Sequence, residues 1–208
     1  ADARAHDDAV FAETDPDNKG GFIVWVAIAD VAAYVAADSE MDREARKRGN
    51  SVYMPDRVVP MLPEQLSNDL CSLRENQTRP CMAVKINIAA NGQKTAHQFY
   101  RGLMRSAAKL SYAEAQRAFD GECPAEFKHL NDDVLQPLWQ AYQCMVQARE
   151  RRQPLRINRP ERRIEINDKG QITRIYTPPV LEAHKLIEEM MVSANVCAAE
   201  TLEKPNGH

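Results

Sequence analysis

A mixed α/β fold of the α+β kind is what this sequence predicts, with sheets packed with helices. Three observations carry that expectation. Met82, Val84, Ile86 and Ile88 alternate onto one face, Asn91-Gly92 marks a tight turn, and an extended run returns over residues 95–104, which together read as a β-hairpin. Val134, Leu135, Leu138, Trp139, Tyr142, Met145 and Val146 recur at helical spacing, as do Ala183, Ile187, Met190, Met191, Ala194, Cys197 and Ala198. Finally, strand and helix signals interleave without the strict alternation of a parallel βαβ sheet.

The elements follow in order. Residues 10–13 read as a short strand, and Asp15-Pro16-Asp17-Asn18-Lys19-Gly20-Gly21 is a turn by composition. Phe22–Ala29 is continuously apolar, as a strand buried on both faces would be, and Asp30 closes it. The sequence favours a helix or turn cap for Asp30 over a support for a metal site. Ser39-x-x-Asp42 opens a helix that Gly49 ends, with Arg43, Arg46, Lys47 and Arg48 on a solvated face. Residues 51–55 are a short extended piece, and residues 64–70 a short helix after Pro60 and Pro63. Ser111-x-x-Glu114 is a second capping box, whose helix stops near Gly121. Pro137 must sit in the first turn of its helix or kink it. Arginines crowd positions 149–163, then Asp168-Lys169-Gly170 turns a hairpin between residues 164–167 and 172–176. Pro178-Pro179 leads into a long helix over about residues 180–203, where Glu188 and Glu189 flank the apolar stripe and at least one can point inward.

Composition bounds the function. The 208 residues are 44% hydrophobic, enough for a core in one domain or one and a half. At 27% charged and net charge −3, the chain is no globally basic nucleic-acid binder, so phosphate binding would rest on local clusters. Cys71, Cys81, Cys123, Cys144 and Cys197 show no C-x-x-C spacing and read as reduced thiols of a cytoplasmic protein. The longest apolar run, residues 22–37, is broken by Asp30 and too short to cross a bilayer, so no membrane role is expected. The sequence starts without Met and inside a motif, which reads as a piece of a longer protein.

That motif is Asp2-Ala3-Arg4-Ala5-His6-Asp7-Asp8-Ala9-Val10. Adjacent carboxylates beside a core repel one another, and a divalent cation is the usual compensation. A bare Asp-Asp pair is more often a solvated turn or a helix cap, so the pair alone does not decide.

Further stretches do. Asp7-Asp8-Ala9-Val10 is followed by Ile28-Ala29-Asp30-Val31 with Tyr34-Val35, then Arg48-Gly49-Asn50-Ser51-Val52-Tyr53-Met54-Pro55 running on through Leu66-Ser67-Asn68-Asp69-Leu70-Cys71-Ser72-Leu73, and finally Ala183-His184-Lys185-Leu186-Ile187-Glu188-Glu189 with Ala194-Asn195. Over its whole length the chain resembles the catalytic RNB domain of the ribonuclease II/ribonuclease R family, nearer its ribonuclease R branch. The resemblance implies the N-terminal part of that domain, with upstream cold-shock and downstream S1 domains absent from this sequence. It implies processive 3′→5′ hydrolysis of single-stranded RNA to nucleoside 5′-monophosphates with Mg²⁺ (Mn²⁺ as a substitute), in a parent enzyme that is monomeric. Residue by residue, it makes Asp7 the most critical acid and a metal ligand, Asp8 a metal ligand, Tyr53 the aromatic that clamps the 3′-terminal nucleotide, and Glu188 an acid near that nucleotide. The plainer alternatives are a half-buried strand tyrosine for Tyr53 and a polar helix position for Glu188. An aromatic face stacks any base, contributing about 1–3 kcal/mol without reading sequence.

Two departures from the pattern bear on activity. The family has an acid where this chain has Ala5, and another upstream of Asp2. Two-metal hydrolysis needs carboxylates to hold ions about 3.5–4 Å apart, so Asp7 and Asp8 alone imply an impaired or inactive chain. An aromatic is common in relatives near Ile157, where a base clamp is now weakened. Arg101, Arg105 and Lys109, at about strand spacing, could line an RNA channel, as could the 149–163 cluster, with solubility as the plainer reading of each. A non-catalytic RNA-binding relative is the alternative that Ala5 favours, and a metal phosphodiesterase acting on DNA or a small molecule is a third. Cut from its remaining half, the fragment would expose strand edges and apolar surface and self-associate.

Overall fold

The structure is a computed structural model that describes residues 6–151, 162–167 and 169–203. Its centre is one antiparallel sheet in the order β1 (Asp8–Thr14), β2 (Phe22–Ala29), β5 (Thr78–Ile88), β6 (Lys94–Arg105). Between β2 and β5 the chain leaves the sheet. It makes a 3₁₀ turn at Val31–Ala33, helix α1 (Glu40–Arg48), a small hairpin of β3 (Val52–Tyr53) and β4 (Val58–Val59), and a wide π-helical turn at Leu66–Leu70. After β6 come α2 (Tyr112–Phe119), a 3₁₀ turn at Ala125–Phe127 that continues through Lys128–Leu130 and a π-helical turn at Asn131–Leu135 into α3 (Gln136–Arg151), the hairpin β7 (Arg163–Ile166) and β8 (Ile172–Tyr176), and α4 (Glu182–Glu203).

Local chemistry sets these boundaries. Ser39 Oγ accepts from the Asp42 N–H at 3.2 Å and Gly49 closes α1 at φ +76°, where glycine has no Cβ penalty. Ser111 and Glu114 form the complete reciprocal capping box expected of α2. Pro137 follows directly on a π-helical turn at Asn131–Leu135 inside a continuous helical run, and that wider turn accommodates its missing N–H. The alternating apolar rows of β1, β2 and β5 bury Ala12, Val24, Val26, Val84 and Ile86 under α3 and α4, joined by Leu138, Tyr142, Met145, Leu186, Met190 and Cys197. The opposite face is covered by a smaller cluster of Ala29, Leu66, Cys71, Leu73 and Cys81.

Of the two glutamates on α4, Glu189 turns inward and bonds Arg149 on α3 at 2.7 Å, while Glu188 is exposed. All five cysteines are free thiols, three of them buried. Among the described residues no helix is long and apolar enough to cross a membrane. Most of the arginine-rich stretch, with Ile157, lies outside the described residues, as does Ala5.

Candidate active site

The acidic loop is pinned at three points before β1 begins. The His6 N–H donates to Ser72 Oγ at 3.0 Å, the Leu73 N–H to the His6 carbonyl at 2.8 Å, and the Ala29 N–H to the Asp7 carbonyl at 2.8 Å. Ser72 is 1% exposed, so its hydroxyl is committed to this contact. The Leu66–Leu73 stretch, conspicuous in the sequence, thus packs under the loop and holds it. Arg79 ties that stretch in turn, bonding the Ser72 carbonyl and Asp69 at 3.2 Å each.

Strand pairing then places Asp8. Asp8 pairs with Ile28, which pairs with Met82, which pairs with Arg101. Val10 and Ala12, of the same parity on β1, face α3 and α4, so Asp8 points to that face too, at its uncovered end. Ile28 and Met82 beside it are 37% and 39% exposed. Asp7 directly precedes β1, and its charge acts on Asp8 and His6 as well as on the Cys71 thiol, which burial raises first. Loss of hydration raises the Asp8 carboxyl above its ordinary range, followed by the charge of Asp7, with His6 opposing. Burial lowers His6, and the nearby Lys109 cation lowers it further, against the two aspartates.

The sequence reading missed Tyr112 and His184. Tyr112 opens α2 and stacks on His184 at 4.0 Å between ring centroids and 19° between planes. Burial raises the Tyr112 hydroxyl and the Asp8 charge raises it further, so this ring pair lies within electrostatic reach of Asp8. His184 Nδ1 accepts from the Leu181 N–H at 3.1 Å and Gln116 Oε1 from the Ala183 N–H at 3.1 Å, which fixes the start of α4 against α2. Glu188 lies one turn on from His184, on the same helix face. The only signal in sequence was the aromatic next to a capping box, which looked like ordinary helix initiation.

Three readings from the sequence change. The Asp30 side chain caps nothing. It is buried and its Oδ2 accepts from Arg101 Nε at 2.5 Å. A buried carboxylate needs a charge partner more than a three-residue turn needs a cap. Tyr53 is not a half-buried strand residue but 79% exposed on the β3–β4 hairpin, and among the described residues it makes no contact with the acidic pair. The cations at 101, 105 and 109 do not share one strand either. Arg101 and Arg105 are on β6, whereas Lys109 follows it.

Among the described residues no three His, Cys, Asp or Glu side chains converge to hold a metal ion. One Mg²⁺ asks for only one or two carboxylates, with water and phosphate oxygens completing its octahedron, and the Asp7–Asp8 pair fits that need. A two-ion centre does not fit the described residues.

An antiparallel sheet with helices on one face and an acidic loop at its uncovered end is the arrangement of the N-terminal part of an RNB domain, and comparison with known proteins agrees. The RNB domain family model matches residues 1–208. The chain is 40% identical over 209 residues to ribonuclease R of Escherichia coli strain K12, covering 98% of this chain and 25% of that protein. It is 36% identical to exoribonuclease 2 of Edwardsiella piscicida, covering 97% and 31%. The structure of Mycoplasma genitalium RNase R in complex with ribose methylated single-stranded RNA superposes with a TM-score of 0.86 at 30% identity, covering 93% of this chain and 30% of that one. The chain belongs to the RNB family, whose members here are ribonuclease R and exoribonuclease 2. It spans about a quarter of the length of its ribonuclease R relatives.

Proposed function

We propose that this chain is the N-terminal part of the catalytic domain of a hydrolytic 3′→5′ exoribonuclease that degrades single-stranded RNA to nucleoside 5′-monophosphates. The observation that carries the reading is Asp8, held at the uncovered end of the sheet within electrostatic reach of an exposed stacked ring pair. A strand of RNA running into that end meets a π-face, Glu188, and the acids in turn. Tyr53 stands on a projecting hairpin with a free ring face, as a clamp on the terminal nucleotide needs.

Asp7 and Asp8 would hold the Mg²⁺, with Mn²⁺ as a substitute. When bound, the ion neutralises phosphate charge and lowers the pKa of its water. The protein's own part is positional. Ser72 and Leu73 fix the loop backbone, so the carboxylates are presented without searching. With alanine at position 5, the chain is impaired in hydrolysis while keeping its RNA contacts. The cytoplasm is the expected compartment, since five free thiols persist best in a reducing environment.

The test uses the natural full-length gene product with Ala5 and with Ala5→Asp, incubated with 5′-labelled single-stranded RNA and Mg²⁺. A ladder shortening from the 3′ end with aspartate, and binding without cleavage with alanine, supports the reading. Cleavage by both refutes the role given to position 5. Binding without cleavage by both supports the second reading, a non-catalytic RNA-binding member of the family, which Ala5 favours. Calorimetry adds a direct check, because tight two-site Mg²⁺ binding by the Ala5 chain contradicts the proposed impairment.

A further inference from the structure

The two ties of the acidic loop meet at the start of β5. Arg79 is the second residue of that strand, and its side chain is only 16% exposed. Its Nε donates to the Ser72 carbonyl at 3.2 Å, and one terminal amino group donates to Asp69 Oδ1 at 3.2 Å and to Gln77 Oε1 at 2.6 Å. The next residue, Pro80, accepts the Asp30 N–H on its carbonyl at 3.1 Å. On one side, therefore, Arg79 holds the Ser72-Leu73 pair, which bonds the backbone of His6. On the other, Pro80 holds the residue after Ala29, whose own N–H bonds the Asp7 carbonyl.

Arg79 supplies what packing does not. Cys71 and Leu73 are buried in the smaller core, which sets the depth of this segment, but apolar contact is non-directional. The π-helical turn at Leu66–Leu70 is wider and rarer than an α-helical one, so it is a weak reference for direction. What orients Ser72 is hydrogen bonding to its carbonyl, from the Arg74 N–H at 2.9 Å and from Arg79. A guanidinium is planar, always charged and rigid, so it fixes the groups that it bonds. The Cys71 thiol, which burial raises first, is raised further by the charge of Asp7 and lowered by that of Arg79, so acid and cation both act on one buried group.

We propose that Arg79 is a positioning residue for the acidic loop. It orients Ser72 and, through Ser72 and Leu73, the backbone of His6, so that Asp7 and Asp8 are presented at the reacting phosphate. The inference deepens the exoribonuclease reading and rests on it for its kinetic readout.

The test uses the natural full-length gene product carrying Ala5→Asp, with and without Arg79→Gln. Asp69 keeps Arg74 at 3.2 Å in that variant, so no carboxylate is stranded. On single-stranded RNA kcat should fall about 10–100-fold, the range for removing a support behind a metal-holding group. KM should change by less than about twofold, because the lost contact is not used to bind RNA. Hydrogen–deuterium exchange at the His6 and Ala29 amides should quicken about tenfold, with the Val84 and Ile86 amides unchanged. Arg79→Lys keeps the charge but not the fork, so it should stay folded and show the same local changes. Arg74→Gln takes a cation from the same Asp69 but leaves Arg79 on the Ser72 carbonyl, and should alter neither kcat nor exchange. Unchanged kcat and exchange in both Arg79 variants, a rise in KM at unchanged kcat, or exchange that quickens across the whole sheet alike overturns the positioning role and leaves the exoribonuclease reading intact. Local quickening at His6 and Ala29 in a parent protein that cleaves no RNA with aspartate at position 5 supports the positioning role and overturns the exoribonuclease reading.

Discussion

Replacing Ser72 by alanine tests how the acidic loop is held. The hydroxyl is buried and accepts the His6 N–H at 3.0 Å across 66 residues of sequence. Its removal leaves a backbone donor without its partner, at a cost of about 1–3 kcal/mol for a buried group. His6 is only partly buried and water can reach it, so the expected loss is near the lower end, about 1–1.5 kcal/mol. With a urea m-value of about 2 kcal/mol/M, the unfolding midpoint should fall by roughly 0.5–0.8 M at unchanged m. The local signature is the His6 titration, followed by the imidazole proton in NMR. In the wild type His6 titrates below its ordinary value of 6.5, because burial and Lys109 disfavour its charged form. The folded state therefore binds fewer protons than the unfolded one in the window below 6.5, and stability rises with pH across it. In Ser72→Ala the loop loosens, His6 moves back toward 6.5, and that slope flattens. A midpoint within 0.2 M of wild type, roughly the extrapolation error, together with an unmoved His6 titration, would refute the claim that Ser72 holds the loop.

Other expectations concern the frame around the site. Arg149→Met strands the buried Glu189 carboxylate, so it should cost about 3–5 kcal/mol, with most of the loss recovered in Arg149→Met/Glu189→Met; thermal unfolding of both variants decides. Gly92→Ala meets two obstacles, a φ of +79° and the Cys144 carbonyl only 1.8 Å from the added methyl. It should lose about 2–5 kcal/mol and can be measured by urea unfolding. The β7–β8 hairpin exposes Ile164, Ile172 and Ile175, and a lone two-stranded ribbon is marginal in water. The isolated chain should self-associate through such surfaces, with Ile172→Lys/Ile175→Lys reducing the mass seen by light scattering; a wild-type monomer at high concentration contradicts this.

Some of the fold was legible because its causes are local. Caps at Ser39 and Ser111, the Asn91-Gly92 turn, the alternation of β5 and the stripes of α3 and α4 each depend on residues within a turn or two of one another. The adjacent acids Asp7 and Asp8 opening into an apolar strand are a short pattern of the same kind, while the roles given to them, to Tyr53 and to Glu188 come from the family resemblance. Inward and outward choices were harder. Glu188 and Glu189 flank the stripe alike, and only the seat of Arg149 on a neighbouring helix turned one of them in.

What the sequence by itself determined is the set of elements and the residue chemistry they carry, since propensity, capping and period act over a few residues. The tertiary structure alone decided which of these meet. Asp30 found Arg101, Ser72 found His6, and Tyr112 found His184 across separations of 66 to 72 residues. Such pairs depend on strand register and on where a helix crosses the sheet. A shift of one residue in register would turn Asp8 to the opposite face and dissolve the site.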